Sequence, residues 1–234
     1  VALVLPFAIA VLLPAMSGQH LGDDRDLLRV SMATGAHGGL APDALVQYFL
    51  FQQFLMVFLL MPITGAMALA AHAVVGEKIA RTLEPLLATP IATAELLVAK
   101  VLGSLAPTLV IAAAGLACYL ALIAIVGEPG VFAAMLSART LVLTVLVGPA
   151  AALVALQSAI LISSRVNDPR VAQQFGVLII IPLMALLIVQ FTGTLWLTTG
   201  ALVLIAIGLF AAWLLLTWLS VGLFERETIL TRWR

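Results

Sequence analysis

Apolar residues in this chain fall in long unbroken runs rather than in alternating or one-sided patterns. Six runs cover roughly 1–16, 44–74, 96–126, 137–162, 172–191 and 200–223. Their lengths predict membrane-spanning helices: a helix needs ~20 apolar residues to cross the hydrocarbon core, whereas a spanning strand needs only ~10 and alternates. The first run, Val1 to Met16, falls short of that length, and no basic signal-peptide flank is visible before it. Val1 is therefore expected to lie inside a first span that begins before this sequence does. The second run has the opposite problem. Its 31 residues would extend ~46 Å at 1.5 Å each, beyond the ~30 Å core, so it must tilt, kink or protrude.

Prolines interrupt four of the runs, at Pro62, Pro107, Pro149 and Pro182. Each removes a backbone hydrogen bond and tends to bend its helix. Two readings stay open: ordinary membrane-protein architecture, in which proline is common, or bent helices that let a cavity open and close.

Composition turns the pattern into a class. Of 234 residues, 64% are hydrophobic and 9% charged, and mean hydropathy is +1.22. A soluble domain needs far more charge to cover its surface. The expected fold class is therefore all-α integral membrane, with six transmembrane helices in a single transmembrane domain over 1–234. Net charge is zero, so nothing points to nucleic acid. The single Cys118 excludes an intrachain disulfide and a cysteine metal cluster.

Charge also orients the chain. If the gaps between runs alternate sides, one side receives Lys78, Arg81, Lys100, Arg165, Arg170, Arg226, Arg232 and Arg234, and the other receives Arg25, Arg29 and Arg139. Basic residues concentrate on the cytoplasmic side, so the first set is assigned there. Both termini are then cytoplasmic, in a plasma (inner) membrane. Residues 17–43 form an extracytoplasmic loop, GEPG is a short outer turn, and FTGTLWLTTG reads as a segment dipping back into the outer leaflet.

Between the second and third runs lies GEKIARTLEPLLATP, residues 76–90, dense in charge and turn residues at once. Ile79, Leu83, Leu86 and Leu87 recur at helical spacing and make one apolar stripe. Glu77 precedes Arg81 by four residues, the favourable order for a helical ion pair, and Glu84 continues that face. Pro85 interrupts the ladder, and Pro90 suits a first helical position with Glu95 in the following first turn. The segment 76–95 is thus expected to be a short, bent amphipathic helix on the cytoplasmic face. It could link two spans, lie on lipid, or seat a cytoplasmic protein. A bare link needs only a few polar residues, and surface binders are usually basic, so seating a partner is preferred.

The run from Glu77 to Pro90, followed by Glu95-Leu96-Leu97-Val98-Ala99-Lys100, closely resembles the signature of type-2 ATP-binding-cassette (ABC) permeases, E-K-x-x-x-T-L-E-x-L-L-x-T-P then E-L-L-x-x-K. The six-run layout and the tail Leu223 to Glu227 are similar to that family as well. The resemblance implies a permease that pairs with a second copy, as a homodimer or heterodimer, and docks an ABC ATPase subunit. The coupling residues it implies are Glu77, Lys78, Arg81, Thr82, Leu83, Glu84 and Leu87, with a second contact at Asp168 and Arg170. ATP and Mg²⁺ would be bound by the partner, and no cofactor by this chain. The implied direction is export.

The rest of the sequence is compatible with that role. No G-x-x-x-x-G-K-[ST] is present, so this chain cannot cradle nucleotide phosphates in a P-loop. No catalytic residue is expected. His20, His37 and His72 are scattered without an H-E-x-x-H pair, and the acids Asp23, Asp24 and Asp26 fit no rigid ligand spacing, so no metal site is expected. The runs hold almost no deep ionisable residues, which argues against a proton- or sodium-coupled carrier and suits an apolar or amphiphilic cargo. Gln52, Gln53, Phe54, Thr64 and Gln157 are candidates for a substrate path. The alternative for the amides is plain hydrogen bonding between helices. Trp196, Trp213, Trp218 and Trp233 suit interfacial anchoring or lipid contact. The competing functional classes are an ion-driven carrier and a non-transporting membrane scaffold.

Overall fold

The computed structural model describes residues 40–79, 93–163 and 197–223, with isolated positions 174, 181, 184–185 and 188. The first run, most of the loop 17–43, Arg81 to Pro90, Arg165 to Arg170, most of the fifth run including Pro182, Phe191 to Trp196 and the tail after Leu223 lie outside the described residues.

The described chain is helical throughout, with no strand among the described residues. Its elements are α1 (Pro42–Phe58), α2 (Leu60–Ile79), α3 (Thr93–Val126), α4 (Val131–Met135), α5 (Ala138–Leu141), a π-helical turn (Val142–Val147), α6 (Gly148–Ser163) and α7 (Thr199–Leu223). Four stretches are long and apolar enough to cross a membrane: Ala44–Ala73, Val98–Val126, Ala138–Ser163 and Thr199–Ser220.

α1 begins without a side-chain cap. Ala41 is extended, Pro42 takes the first helical position, and the Ala41 carbonyl receives the Leu45 N–H at 3.0 Å. Proline is suited there because its missing N–H is one that a first turn leaves unused. The over-long second run is not one rod. It breaks at Leu59, whose N–H donates to Met56 and Val57 carbonyls, a tightened turn rather than a continued α ladder. Pro62 follows three residues later and cannot donate to the Phe58 carbonyl, so the break sits where the ladder is weakest.

α3 runs 34 residues with Pro107 inside it. It stops at Gly127, whose N–H bonds the Ile123 carbonyl at 2.8 Å. The chain turns through Gly130 at φ 92°. A Cβ there would come within 2.6 Å of Leu40 Cδ2, so both the backbone angle and the space require glycine. The short α4 then tucks Val131 and Met135 into the core. α5 starts at Ser137, whose Oγ accepts the Thr140 N–H.

α6 is the hub. It packs against α2, α7 and α3, and its contact with α2 is the most extensive in the bundle. About half of the Ala44–Ala73 span (50%) and more of Ala138–Ser163 (61%) is buried, against 11% for each of the other two. The first two therefore form the centre, and α3 and α7 flank it with largely apolar outer faces, as lipid contact requires.

The core divides into two along the bundle axis. One half is built around large side chains, including Tyr48, Phe51, Leu55 and Tyr119. The other is rich in alanine, with Ala66, Ala70, Ala151, Ala152, Ala155 and Ala159 beside Ile63 and Leu156. Small residues let helix backbones approach closely, which is how membrane helices gain packing when burial in lipid supplies no hydrophobic drive.

Candidate functional site

Most polar side chains buried in the spans among the described residues are amides and hydroxyls, and in an apolar surrounding each needs a partner. Gln47, on the first turns of α1, accepts the Glu128 N–H through Oε1 at 2.9 Å. This pins the turn after α3 onto α1. Gln52 is buried and donates through Nε2 to Thr140 Oγ1 at 2.8 Å, with Met135 Sδ at 3.6 Å. Its Oε1 has no hydrogen-bond partner among the described residues. One amide thus ties α1 to both α4 and α5. The neighbouring Gln53 is buried too, and Phe54 packs half-buried against the large-residue core.

Tyr119 on α3 lies between two phenylalanines of α1. Phe51 meets it edge-on, centroids 6.3 Å apart at 88°, and Phe58 stacks on it at 6.2 Å and 25°. Its hydroxyl donates to the Phe51 carbonyl at 2.8 Å. Arg139, near the same end of the bundle, is the one charged side chain that is buried among the described residues.

Gln157 belongs to a different place. It is fully buried on α6 and donates to Ser220 Oγ on α7 at 2.8 Å, and the Ser220 hydroxyl donates in turn to the Leu216 carbonyl. Thr64 is exposed and bonds back to the Leu60 carbonyl at 2.8 Å. The candidate path residues are therefore not one cluster: Gln52, Gln53 and Phe54 sit in the large-residue half, Gln157 in the alanine-rich half, and Thr64 on an outer face.

Toward the other end, α2 continues as helix through Glu77 and Lys78 to Ile79. Lys100 Nζ reaches back from α3 to the Ala73 carbonyl of α2 at 3.4 Å. This contact holds together the two helices that flank the charged segment. Arg81, Thr82, Leu83, Glu84, Leu87, Asp168 and Arg170 lie outside the described residues.

Tyr119, Thr140, Met135, Ser220 and the burial of Arg139 were not legible as parts of these contacts. Tyr119 carried a signal nonetheless: a phenol inside an unbroken apolar run must find an acceptor. No group of three His, Cys, Asp or Glu that could hold a metal occurs among the described residues.

The family model of the ABC-2 family transporter protein matches residues 1–200, most of a chain of 234. The chain belongs to the ABC-2 transporter family. Neither a curated protein nor a solved structure matches it significantly. This ABC-2 permease is a multi-pass membrane transport component, not itself a catalyst. Its amides and hydroxyls hold helices to one another, and permeases of this family generally partner with ATPase subunits.

Proposed function

We propose that this chain is the permease subunit of an ATP-driven exporter, working with a second permease copy and with separate ATPase subunits. The observation that carries the reading is the charged run Glu77 to Pro90 in a chain of this family. Glu77, Lys78, Arg81, Thr82, Leu83, Glu84 and Leu87 form the coupling surface on the ATPase, and Asp168 and Arg170 form a second contact. ATP and Mg²⁺ are bound by the partner. The chain has no P-loop of its own, so its energy must come from outside.

Six spans in an inner membrane with both ends cytoplasmic complete the proposal. Polarity supports the count. Leu143 and Val147, in the π turn that leads into α6, share a core with Leu202 and Ala206 near the start of α7, while Gln157 meets Ser220 further along α6 and α7. α6 and α7 thus run parallel, which an additional crossing between them would explain. The Lys100 to Ala73 contact supports transmission: a pull on the charged segment reaches α2 and α3 together. The cargo is apolar or amphiphilic, in keeping with a bundle whose interior is apolar with scattered amides.

The test is reconstitution with the ATPase subunit in vesicles. Transport that follows ATP and stops with a hydrolysis-dead ATPase supports the reading. Transport that survives without ATP and collapses with an ion gradient replaces it with the carrier reading.

A further inference from the structure

Two breaks in regular helix face each other in the middle of this bundle. On the first track, α1 gives way to α2 at Leu59, with Pro62 just beyond. On the other, the π-helical turn Val142–Val147 gives way to α6 at Gly148, whose N–H bonds the Leu143 carbonyl five residues back. Pro149 follows at once and cannot donate to the Val145 carbonyl. The two breaks touch: a Cβ at Gly148 would lie 3.0 Å from Leu59 Cδ2.

The core divides at the same level. Leu59 and Val147 close the large-residue half, and Ile63 and Ala151 open the alanine-rich half. On α7 the crossover is Leu209, which packs against both halves. Its neighbour Gly208 has nothing within 4 Å of a would-be Cβ, and a glycine without a packing role weakens a helix interior. Three tracks of the bundle are therefore soft at one height. Proline, π turns and glycine are the usual sites at which helices bend.

We infer that the two halves of the membrane domain tilt relative to each other about the Leu59–Gly148 contact, with the breaks on α1–α2 and α5–α6 as the paired hinge. The π turn supplies the slack. It holds one residue more than an α turn would, so the backbone there is wound more loosely and can bend while the faces on either side keep their register. Gly148 gives Leu59 room to slide. The use of this tilt in transport rests on the permease reading above; the tilt itself does not.

The test uses the full-length protein in lipid nanodiscs, with Cys118→Ser and pairs of spin labels read by pulsed electron resonance. One pair spans the hinge, at Leu141 of α5 and Leu219 of α7; the control pair lies within the alanine-rich half, at Leu102 and Leu219. All three positions are exposed. The hinge predicts a Leu141–Leu219 distance distribution about twofold broader than the control, or split in two. Deleting Val145, which removes the extra residue, narrows it to the control width. Equal widths in the undeleted protein overturn the hinge. A broad distribution that survives deletion in a folded variant overturns its assignment to the π turn. If the deletion variant does not fold, the comparison of pairs in the undeleted protein decides alone. Adding the ATPase and ATP is a separate arm: a hinge that bends but ignores ATP leaves the inference standing and removes the ATP-coupled reading.

Discussion

Gln52 of α1 reaches across the bundle to Thr140 of α5 with a 2.8 Å hydrogen bond between buried side chains. The two residues are 88 positions apart in sequence, so the bond closes α1 onto the start of the third long span. Thr140→Val keeps the shape and removes the acceptor. It is expected to destabilise by about 1 kcal/mol, within the range of hydrogen bonds between membrane helices. A double-mutant cycle with Gln52→Leu, read by unfolding in detergent, should show a coupling of that order, and additive losses would contradict the pairing.

Tyr119 separates hydrogen bonding from packing. Tyr119→Phe removes the bond to the Phe51 carbonyl while keeping the ring, and is expected to lower stability by about 1 kcal/mol. Tyr119→Ala also empties the space between Phe51 and Phe58 and should lose roughly 3–5 kcal/mol. Thermal melting of both variants in one lipid mixture checks the ratio.

Two glycines of α3 should respond with opposite sign. A Cβ at Gly115 would lie 2.9 Å from Phe58 Cζ, whereas one at Gly103 meets nothing within 4 Å. Gly115→Val is expected to destabilise by about 1–3 kcal/mol through overpacking. Gly103→Ala is expected to stabilise by up to about 1 kcal/mol, because alanine is the better helix former. Melting curves that move the same way would contradict the packing of α3 on α1.

Gln157 and Ser220 are the corresponding tie between α6 and α7. Gln157→Leu leaves Ser220 with its intrahelical bond to Leu216, so little is stranded, and the loss should stay near about 1 kcal/mol. A Gln157 acting chiefly on cargo would instead change transport with no change in stability. Measuring both on one preparation separates the two roles.

The long apolar runs made the membrane class and four spanning helices legible, because length and unbroken hydropathy need no knowledge of packing. The excess length of the second run left tilt, kink or protrusion open, and Pro62 lies three residues from the break that the structure shows. The contact of Leu59 with Gly148, 89 positions away in sequence, could not be read from local pattern. The π turn was invisible for a similar reason: VLTVLV is apolar on every face, so one extra residue disturbs no stripe. The helix α4 was hidden by its five residues. Gln52 and Gln157 were legible as polar positions in the spans, and the bonds they make run between helices. Their partners Thr140 and Ser220 were not foreseen, since a hydroxyl near a span end carries no mark of what it will meet.

The proposal as a whole turns on the segment between α2 and α3. A photo-reactive amino acid at position 84, in cells that also make the ATPase subunit, tests it most directly. The account predicts a cross-link from that position to the ATPase, lost together with ATP-driven transport in Arg81→Glu. A position 84 that instead reacts with a membrane-impermeant reagent added to intact cells, and never cross-links the ATPase, would contradict it.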